Sequence, residues 1–358
     1  MNMKLHQTCK SLLFFYIFLF VFACSVSLSA QIPKYHAPVN PDASEEADNL
    51  LKLVYAVSGE VVLSGQHNYI GNKSLHSETA LELSGKYPVV WGSDFGFADS
   101  TNDKDAVYHR HSLVEEVIFQ YHRGSVITLM WHACRPIDEE PCAWKPSVQN
   151  EVSDEEWQQL LTPGTDIHKN WANQVDEIAV YLKQLENAGI PILWRPYHEM
   201  NGGWFWWGHK RGEDGYIALW KMLYHRLTDY HELNNLIWVW NPNATNYAED
   251  YHLYFPGADY VDILAADLYR TEYEQPFYKD LVDLADGKPV ALGEVGPLPS
   301  PQVLDSQPNW SWFMTWSNFL DRVNSPEEIK ATFHSEKVLG LNEFVTSPYF
   351  DIYRPDIR

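Results

Sequence analysis

One stretch of the chain, residues 194–208, combines residue types that could do chemistry with a large aromatic surface. It reads WRPYHEMNGGWFWWG and places four tryptophans beside Arg195, His198 and Glu199. A hydrophobic core rarely buries such polar groups side by side, and tryptophans at this density on an open surface favour aggregation. A groove for a polar ligand with flat apolar faces accounts for both sets of residues. A sugar ring is such a ligand.

A second carboxylate that could act together with Glu199 lies in the stretch LGEVG, residues 292–296. This residue is Glu294. Cleavage of a glycosidic bond typically uses two carboxyl groups, one as general acid/base and one as nucleophile, or as base in inverting enzymes. The two glutamates therefore predict a glycosidase, provided that the fold brings both to the same sugar.

Eight short and mostly apolar stretches are predicted to be the strands that position these residues. Most of them begin in continuous apolar residues and end in polar ones, which is typical of parallel strands buried on both faces. They are 61–69, 87–95, 125–133, 190–199, 235–243, 260–269, 288–296 and 310–316. Helical patterns lie between them, at 103–124, 171–189 and 215–231, although the interval between strands seven and eight is short for a full helix.

Parallel strands that alternate with helices in this number predict an α/β fold, the (β/α)8 TIM barrel, as a single catalytic domain over 33–358. Active sites of this fold lie at the carboxyl ends of the strands. Glu199 ends the fourth predicted strand and Glu294 ends the seventh, across the mouth of the barrel.

The stretches RPYHEMNGGWFWWG at 195–208 and LGEVG at 292–296 resemble glycoside hydrolase family 26, in which β-mannanases predominate. The resemblance extends over about 33–358 through the order of the strands. It implies a retaining hydrolase with Glu199 as acid/base and Glu294 as nucleophile. The larger clan usually has asparagine before the acid/base, whereas this family has histidine, here His198.

The resemblance also implies how the two glutamates are kept in their protonation states. Burial among aromatic rings and the charge of Glu294 should raise the pKa of Glu199. Arg195, His198 and Tyr269 are the candidate donors that would keep Glu294 ionised. Asp94 and Asp267, at strand ends, are expected to accept hydrogen bonds behind the site.

Four further residues are predicted to bind substrate. By resemblance, Trp204 would stack a sugar beside the cleavage point, His132 would bind substrate after strand three, and Trp316 would form the floor under the −1 sugar. Trp144, in the long connection after strand three, is predicted to stack a more distant sugar. Core packing is the alternative for His132, His198 and Trp204. Of Trp206 and Trp207, alternation predicts that one faces the groove.

The leading functional hypothesis is a retaining endo-β-1,4-mannanase that hydrolyses mannan, glucomannan or galactomannan without cofactor or metal. Enzymes for mixed-linkage β-glucan or β-1,3-xylan, and an exo-acting enzyme that releases mannobiose, are alternatives within the family. A non-catalytic polysaccharide-binding protein and a metal hydrolase using His132 and His198 are alternatives from other classes. The formal net charge of −22 argues against nucleic acid as a partner. A monomer or weak homodimer is expected.

The N-terminus predicts export. Residues 1–30 have the layout of a secretion signal, and their apolar run, 12–23, is too short for a comfortable membrane span. Cleavage after Ala30 competes with lipoprotein-type cleavage before Cys24, which would anchor the enzyme at the bacterial periplasmic or outer surface. Export also makes a disulfide between Cys134 and Cys142 the favoured interpretation, with two free cysteines as the alternative.

Overall fold

The computed structural model describes residues 34–97, 106–244, 248–270 and 273–357. Within these residues, the barrel strands are β1 (Val62–His67), β2 (Val90–Asp94), β3 (Val126–Trp131), β4 (Ile192–Pro196), β5 (Leu236–Trp240), β6 (Ile263–Leu268), β7 (Val290–Val295) and β8 (Trp310–Thr315). Each strand pairs in parallel with the next, and β8 pairs with β1, so the sheet closes. The prediction of an eight-stranded parallel barrel is confirmed.

Burial on both faces explains why the strands were recognisable. Every residue of β3, β5 and β6 is buried, because helices cover the outside of the ring while side chains fill its interior. The barrel strands contain three glycines, Gly65, Gly92 and Gly293, and the last of them matters for the site. A Cβ at Gly293 would lie 1.8 Å from Oδ1 of Asn241, so only glycine fits beside Glu294.

Helices surround the barrel. They are α1 (Glu45–Val57), α2 (Leu75–Ser84), α3 (Arg110–Arg123), α4 (Asp154–Leu161), α5 (Asp166–Asn187), α6 (Tyr216–His225), α7 (Gln275–Ala285), α8 (Pro301–Ser306), α9 (Phe319–Val323), α10 (Pro326–Phe333), α11 (Leu341–Phe344) and α12 (Pro348–Tyr353). The three predicted helices correspond to α3, α5 and α6. The short interval between β7 and β8 holds only the six-residue α8.

The helix boundaries differ from the predicted ones for local reasons. The long helix α5 begins at Asp166 because the side chain of Thr165 caps it by accepting from the N–H of His168. Helix α6 continues into a π-helical turn, Arg226–Tyr230. A two-residue strand, β9 (Val338–Leu339), pairs with β1 outside the ring and was not predicted.

The connection after β3 contains the two cysteines that survive removal of the predicted signal. Cys134 and Cys142 are joined in a disulfide. The connection then forms a π-helical turn, Trp144–Val148, before α4. The predicted signal, with its two cleavage sites, lies outside the described residues. Among the described residues, no helix is both long enough and apolar enough to cross a membrane.

Candidate active site

A groove at the carboxyl ends of the strands brings the predicted site residues together. The central pocket has a volume of about 280 Å³. Its lining includes His132, Trp144, His198, Glu199, Trp204, Tyr269, Glu294 and Trp316. Of the residues predicted to catalyse or to bind substrate, only Arg195 is not part of the lining, because it lies beneath, with its side chain in contact with Glu294.

Glu294 is held in a fixed orientation by donors from two other strands. It lies within β7 and is almost fully buried. Arg195, in β4, donates to its Oε1, and the hydroxyl of Tyr269, which follows β6, donates to its Oε2. Nε2 of His198 lies 3.5 Å from Oε1. Donors on both oxygens thus fix the carboxyl group of Glu294 in one orientation at the groove.

The surroundings of His198 favour its neutral imidazole form. Its complete burial, and then the positive charge of Arg195, lower the pKa of His198 well below its usual range. The ring therefore adds a polar contact to Glu294 without adding a positive charge. Its position beside Glu294 fits a substrate-binding residue better than a core histidine, since it lines the pocket itself.

The guanidinium of Arg195 balances the negative charge below the groove. One of its nitrogens, NH1, lies 3.2 Å from Oδ2 of Asp267 and from Oδ1 of Asn241, while NH2 contacts Glu294. Asp267 accepts from Arg195, as predicted for a residue behind the site. The arginine is also the reason why the described cluster of His198, Asp267 and Glu294 is a poor metal site, although its ligand atoms lie within 4.8 Å of one another. A cation there would have to displace the arginine from both carboxylates.

Glu199 lies in a strained turn rather than at the end of a strand. Strand β4 stops at Pro196, three residues before the predicted end. The φ angles are 47° at Tyr197 and 56° at Glu199, in the left-handed region that residues with a side chain rarely adopt. The N–H of Glu199 donates to the carbonyl of Asn241 at 2.7 Å, and the N–H of Gly202 donates to the carbonyl of Glu199 at 2.9 Å. These bonds hold the turn and aim the glutamate into the groove.

Two donors contact the Glu199 carboxyl. Nδ2 of Asn243 lies 2.8 Å from Oε1, and Nε1 of Trp204 lies 2.5 Å from Oε2. Burial, followed by the negative charge of Glu294, raises the pKa of Glu199 to about 7, although both hydrogen bonds act in the opposite direction. A carboxyl group with this pKa is partly protonated near neutral pH, which suits a general acid.

Trp204 is positioned by the glycine pair in MNGG. A Cβ on Gly202 would lie 2.2 Å from the indole ring, so the ring can rest against the backbone only because residue 202 has no side chain. Trp204 is partly exposed and lines the pocket beside Glu199. Its placement fits a stacking platform rather than a core residue.

The prediction that Trp206 or Trp207 faces the groove is wrong. Both are buried, and they donate to the carbonyls of Ala133 and His198 at 2.9 and 2.8 Å. The segment after β4 consists of turns, so the alternation of a strand does not apply to it. Phe205 lines the pocket instead, with its ring stacked on that of Trp207.

His132 and Trp316 each contact a residue that was not predicted from the sequence to be their partner. Nδ1 of His132 bonds to Oδ2 of Asp94. Burial disfavours the charge on Asp94, but the nearby His132 outweighs it and lowers the pKa of Asp94 to about 2. The indole of Trp316 is stacked on the ring of the buried His67, with 3.7 Å between centroids. His67 thus supports the predicted floor from below.

The groove extends toward β1 and β2. A cavity of about 230 Å³ is lined by Asn68, Tyr69, Asp94 and Phe97, and it shares Trp144 and Trp316 with the central pocket. The rings of Trp144 and Phe97 are in contact, with 4.8 Å between their centroids. Trp144 therefore stands between the two spaces, where a second sugar could stack.

Comparison with known proteins agrees with this arrangement of fold and site. Residues 39–343 match the family model described as glycosyl hydrolase family 26. The chain is 33% identical over 345 residues to a mannan endo-1,4-beta-mannosidase of Thermothelomyces thermophilus, a match that covers 89% of this chain and 66% of that protein. It is 29% identical over 329 residues to mannan endo-1,4-beta-mannosidase A of Piromyces sp., covering 88% of this chain and 51% of the relative. The chain thus spans about half to two thirds of the length of these relatives.

Solved structures show the same barrel. The structure of GH26A from Muricauda sp. is similar with a TM-score of 0.81 and 50% identity, covering 85% of this chain and 99% of that one. The GH26-CBM35 beta-(1,4)-mannanase of Podospora anserina has a TM-score of 0.74 and 31% identity, covering 89% and 71%. The barrel, the paired glutamates at its mouth and these similarities place the chain in the class of glycoside hydrolases. Within that class, the chain belongs to glycosyl hydrolase family 26.

Proposed function

We propose that this chain is a retaining endo-β-1,4-mannanase that hydrolyses mannan, glucomannan or galactomannan to manno-oligosaccharides. One observation carries the proposal. Glu294, held by Arg195 and Tyr269, faces the same pocket as Glu199, whose pKa is raised to about 7. Retaining glycoside hydrolysis requires one carboxylate that acts as the nucleophile and a second carboxyl group that donates a proton. The names of the similar proteins supply the choice of mannan as substrate.

In the first step, a carboxylate oxygen of Glu294 attacks the anomeric carbon of the −1 sugar. The bond to the leaving oxygen breaks while Glu199 donates its proton to that oxygen, so an ester between Glu294 and the sugar forms. In the second step, the ionised Glu199 takes a proton from water, the resulting hydroxide attacks the same carbon, and Glu294 leaves as a carboxylate. Two inversions at one carbon retain its configuration.

The remaining pocket residues are proposed to orient the substrate. Trp204 and Trp316 offer ring faces to the apolar faces of sugars, and His132, fixed by Asp94, offers a ring nitrogen to a hydroxyl group. Trp144 is proposed to stack the next sugar, at the boundary with the neighbouring cavity. No step of this scheme involves a metal ion or a cofactor.

We also propose that the enzyme acts outside the cytoplasm, as a monomer or weak homodimer, after removal of residues 1–30 or lipid attachment at Cys24. The disulfide between Cys134 and Cys142 supports an oxidising compartment. Mass spectrometry of the protein from fractionated cells tests the proposal. A mature N-terminus at Gln31 or a lipidated Cys24 would support export, and an intact Met1 on a cytoplasmic protein would contradict it.

The experiment that tests the catalytic proposal is product analysis with one matched pair of variants. The parent, Glu294→Gln and Glu213→Gln are incubated with glucomannan, galactomannan, mixed-linkage β-glucan and β-1,3-xylan. Glu213 is an exposed glutamate in the connection that also contains Glu199, so its variant is the control. We expect manno-oligosaccharides of mixed length from the mannans, with the β-anomer formed first, and a loss on the order of 10⁴-fold in turnover for Glu294→Gln only.

Each other outcome excludes a stated part of the proposal. Undiminished hydrolysis by Glu294→Gln removes that residue from the mechanism, and an α-anomer as first product removes retention. Products from glucan or xylan alone exclude mannan as the substrate. Mannobiose as the sole early product excludes endo action in favour of exo action. Binding without any hydrolysis by the parent favours a polysaccharide-binding protein.

A further inference from the structure

A second cleft lies on the outer side of the barrel, where α2 and α3 contribute neighbouring side chains. Its volume is about 570 Å³, compared with about 280 Å³ for the central pocket. The side chains that matter for its chemistry are Lys73, Leu75, Glu78, Glu115, Glu116 and Phe119. None of them lines the central pocket or the cavity beside it.

Two apolar side chains in the lining of the outer cleft are open to solvent. Phe119 of α3 is 56% exposed and Leu75 of α2 is 51% exposed, and both line the same space. Single exposed apolar residues are ordinary on protein surfaces. Here an exposed ring and an exposed aliphatic side chain border one concave site, which is where a ligand with an apolar face could pack.

The floor of the outer cleft is polar and firmly held. The hydroxyl of Ser74 accepts from Nε1 of Trp91 at 2.9 Å and from Nε2 of Gln120 at 2.8 Å. It donates in turn to Oε1 of Glu116, which also accepts from Gln120 at 2.8 Å. The second oxygen of Glu116, Oε2, accepts no hydrogen bond from any residue within the described ranges. Glu116 is 9% exposed, and a carboxylate oxygen with free lone pairs is available to a donor on a ligand.

The charges around the outer cleft select the kind of ligand. Three carboxylates, those of Glu78, Glu115 and Glu116, line the cleft together with the ammonium group of Lys73. The guanidinium of Arg123 lies 3.5 Å from Glu78 at the edge, so the carboxylates still outnumber the cations. This balance disfavours polyanions and favours a neutral molecule rich in hydroxyl donors. A hexosyl chain offers hydroxyl groups to the carboxylates and the apolar face of a ring to Phe119.

The position of the outer cleft connects it with the substrate groove. A short 3-10 turn, Ile70–Asn72, separates the two spaces. Tyr69 and Ile70, on one side of this turn, line the cavity next to the central pocket, whereas Asn72 and Lys73 on the other side line the outer cleft. One polysaccharide chain, or two neighbouring chains of the same material, could therefore contact both places.

We infer that the outer cleft between α2 and α3 is a second binding site for β-mannan chains, which holds polymeric substrate while the central pocket cleaves it. The identity of the ligand rests on the proposed function. The cleft binds the polymer and takes no part in bond cleavage, so its loss should leave the hydrolysis of short soluble substrates unchanged.

The test compares Phe119→Ala with Tyr230→Ala and Phe119→Trp. Tyr230 is an aromatic residue in the turn after α6 that is 67% exposed, slightly more than Phe119, and it serves as the matched control. Binding to insoluble mannan is measured by depletion with each change placed in the Glu294→Gln protein, so that the polymer stays intact. Turnover of mannotetraose is measured with each change in the otherwise unaltered protein.

We expect Phe119→Ala to weaken binding to insoluble mannan about five- to tenfold, as loss of one stacking contact does. Phe119→Trp should bind at least as well as the parent, and mannotetraose turnover should stay within about twofold of the parent for every variant. Unchanged polymer binding by Phe119→Ala would overturn the inference, as would an equal loss for Tyr230→Ala or a parallel loss on mannotetraose.

Failure of the inference and failure of the proposed function are distinguishable. A parent that hydrolyses mannan, together with a Phe119→Ala protein that binds mannan normally, refutes the second site alone. A parent that cleaves no mannan refutes the proposed function. In that case binding to a polysaccharide array tests the outer cleft. The inference requires that Phe119→Ala lose affinity for whichever neutral glycan the parent binds. A parent that binds none refutes the second site as well.

Discussion

Replacement of Trp204 by phenylalanine should raise the pKa of Glu199 while keeping an aromatic ring in the groove. The indole Nε1–H donates to Oε2 of Glu199 at 2.5 Å, and this bond favours the ionised carboxylate. Phenylalanine has no such donor. The acid/base must be protonated for the first step, so activity falls as the pH rises through its pKa of about 7. The alkaline limb of the pH profile should therefore move to higher pH in Trp204→Phe.

The size of the shift follows from the strength of the lost bond. A hydrogen bond to a charged group contributes about 1.5–3 kcal/mol, and one pKa unit corresponds to about 1.36 kcal/mol, so complete loss gives about one to two units. Trp204 borders an open pocket, where water can replace part of the interaction, and Asn243 still donates to Oε1. We therefore expect the apparent pKa of the alkaline limb in the pH profile of kcat/KM to rise by roughly 0.5–1 unit.

The assay is the pH dependence of kcat/KM on a soluble manno-oligosaccharide, because this parameter reports groups of the free enzyme. Trp144→Phe is the control, since Trp144 lines the same pocket and has no hydrogen bond to Glu199. It should weaken substrate binding and leave the limb in place. An unmoved limb in Trp204→Phe, or a shift toward acid, would refute the assignment of the limb to Glu199.

Three further changes test other parts of the structure. Gly202→Ala should lower kcat/KM about tenfold, because the new methyl group displaces the ring of Trp204, and steady-state kinetics measures this loss. Cys134→Ser should lower the free energy of unfolding in urea by about 2–3 kcal/mol, since it opens a loop with a sequence separation of 8. Asp94→Asn should lower stability at neutral pH by on the order of 2 kcal/mol. Because the folded-state pKa of Asp94 is depressed from 3.8 to about 2, that difference in stability should disappear as the pH falls through this interval, as thermal unfolding at a series of pH values would show.

The barrel was predictable because its strands are buried on both faces. Burial forces nearly continuous apolar runs, and all eight runs became strands, each within its predicted range. The two-residue β9 was missed because so short an element has no period to recognise. The start of α5 was predicted too late in the chain, because its capping residue, Thr165, lies before the apolar pattern begins.

The site was predictable as far as its residues share a motif. Glu199, Glu294 and their immediate neighbours lie in two short stretches that the structure brings into one pocket. Asn243 was missed, although it bonds to Glu199, because the contact joins residues 44 positions apart. His67 was expected as a polar residue at the end of a strand, but its contact with Trp316 was missed, since only the closed barrel brings the end of β1 beside Trp316.

The strained turn at Glu199 shows a further limit. The predicted strand was extended from its apolar run through the polar residues 195–199 to the glutamate, but left-handed backbone angles at Tyr197 and Glu199 interrupt it. No local residue preference announces this turn, because neither residue is glycine, asparagine or aspartate. The hydrogen bond from Glu199 to the carbonyl of Asn241, directly after β5, helps to hold it, and this bond arises only after the barrel has formed.

The electrostatic link between the two glutamates has a consequence for the order of events in catalysis. After burial itself, the negative charge of Glu294 is the second cause that keeps Glu199 protonated. In the proposed reaction this charge vanishes as soon as Glu294 is esterified, and the pKa of Glu199 must then fall toward its ordinary value. The side chain that has just given up a proton thereby becomes fit to accept one from water. Release of the sugar restores the negative charge of Glu294, which again favours the protonated form of Glu199. In this scheme the change of charge at Glu294 adjusts the pKa of Glu199 for each step without any movement of the protein.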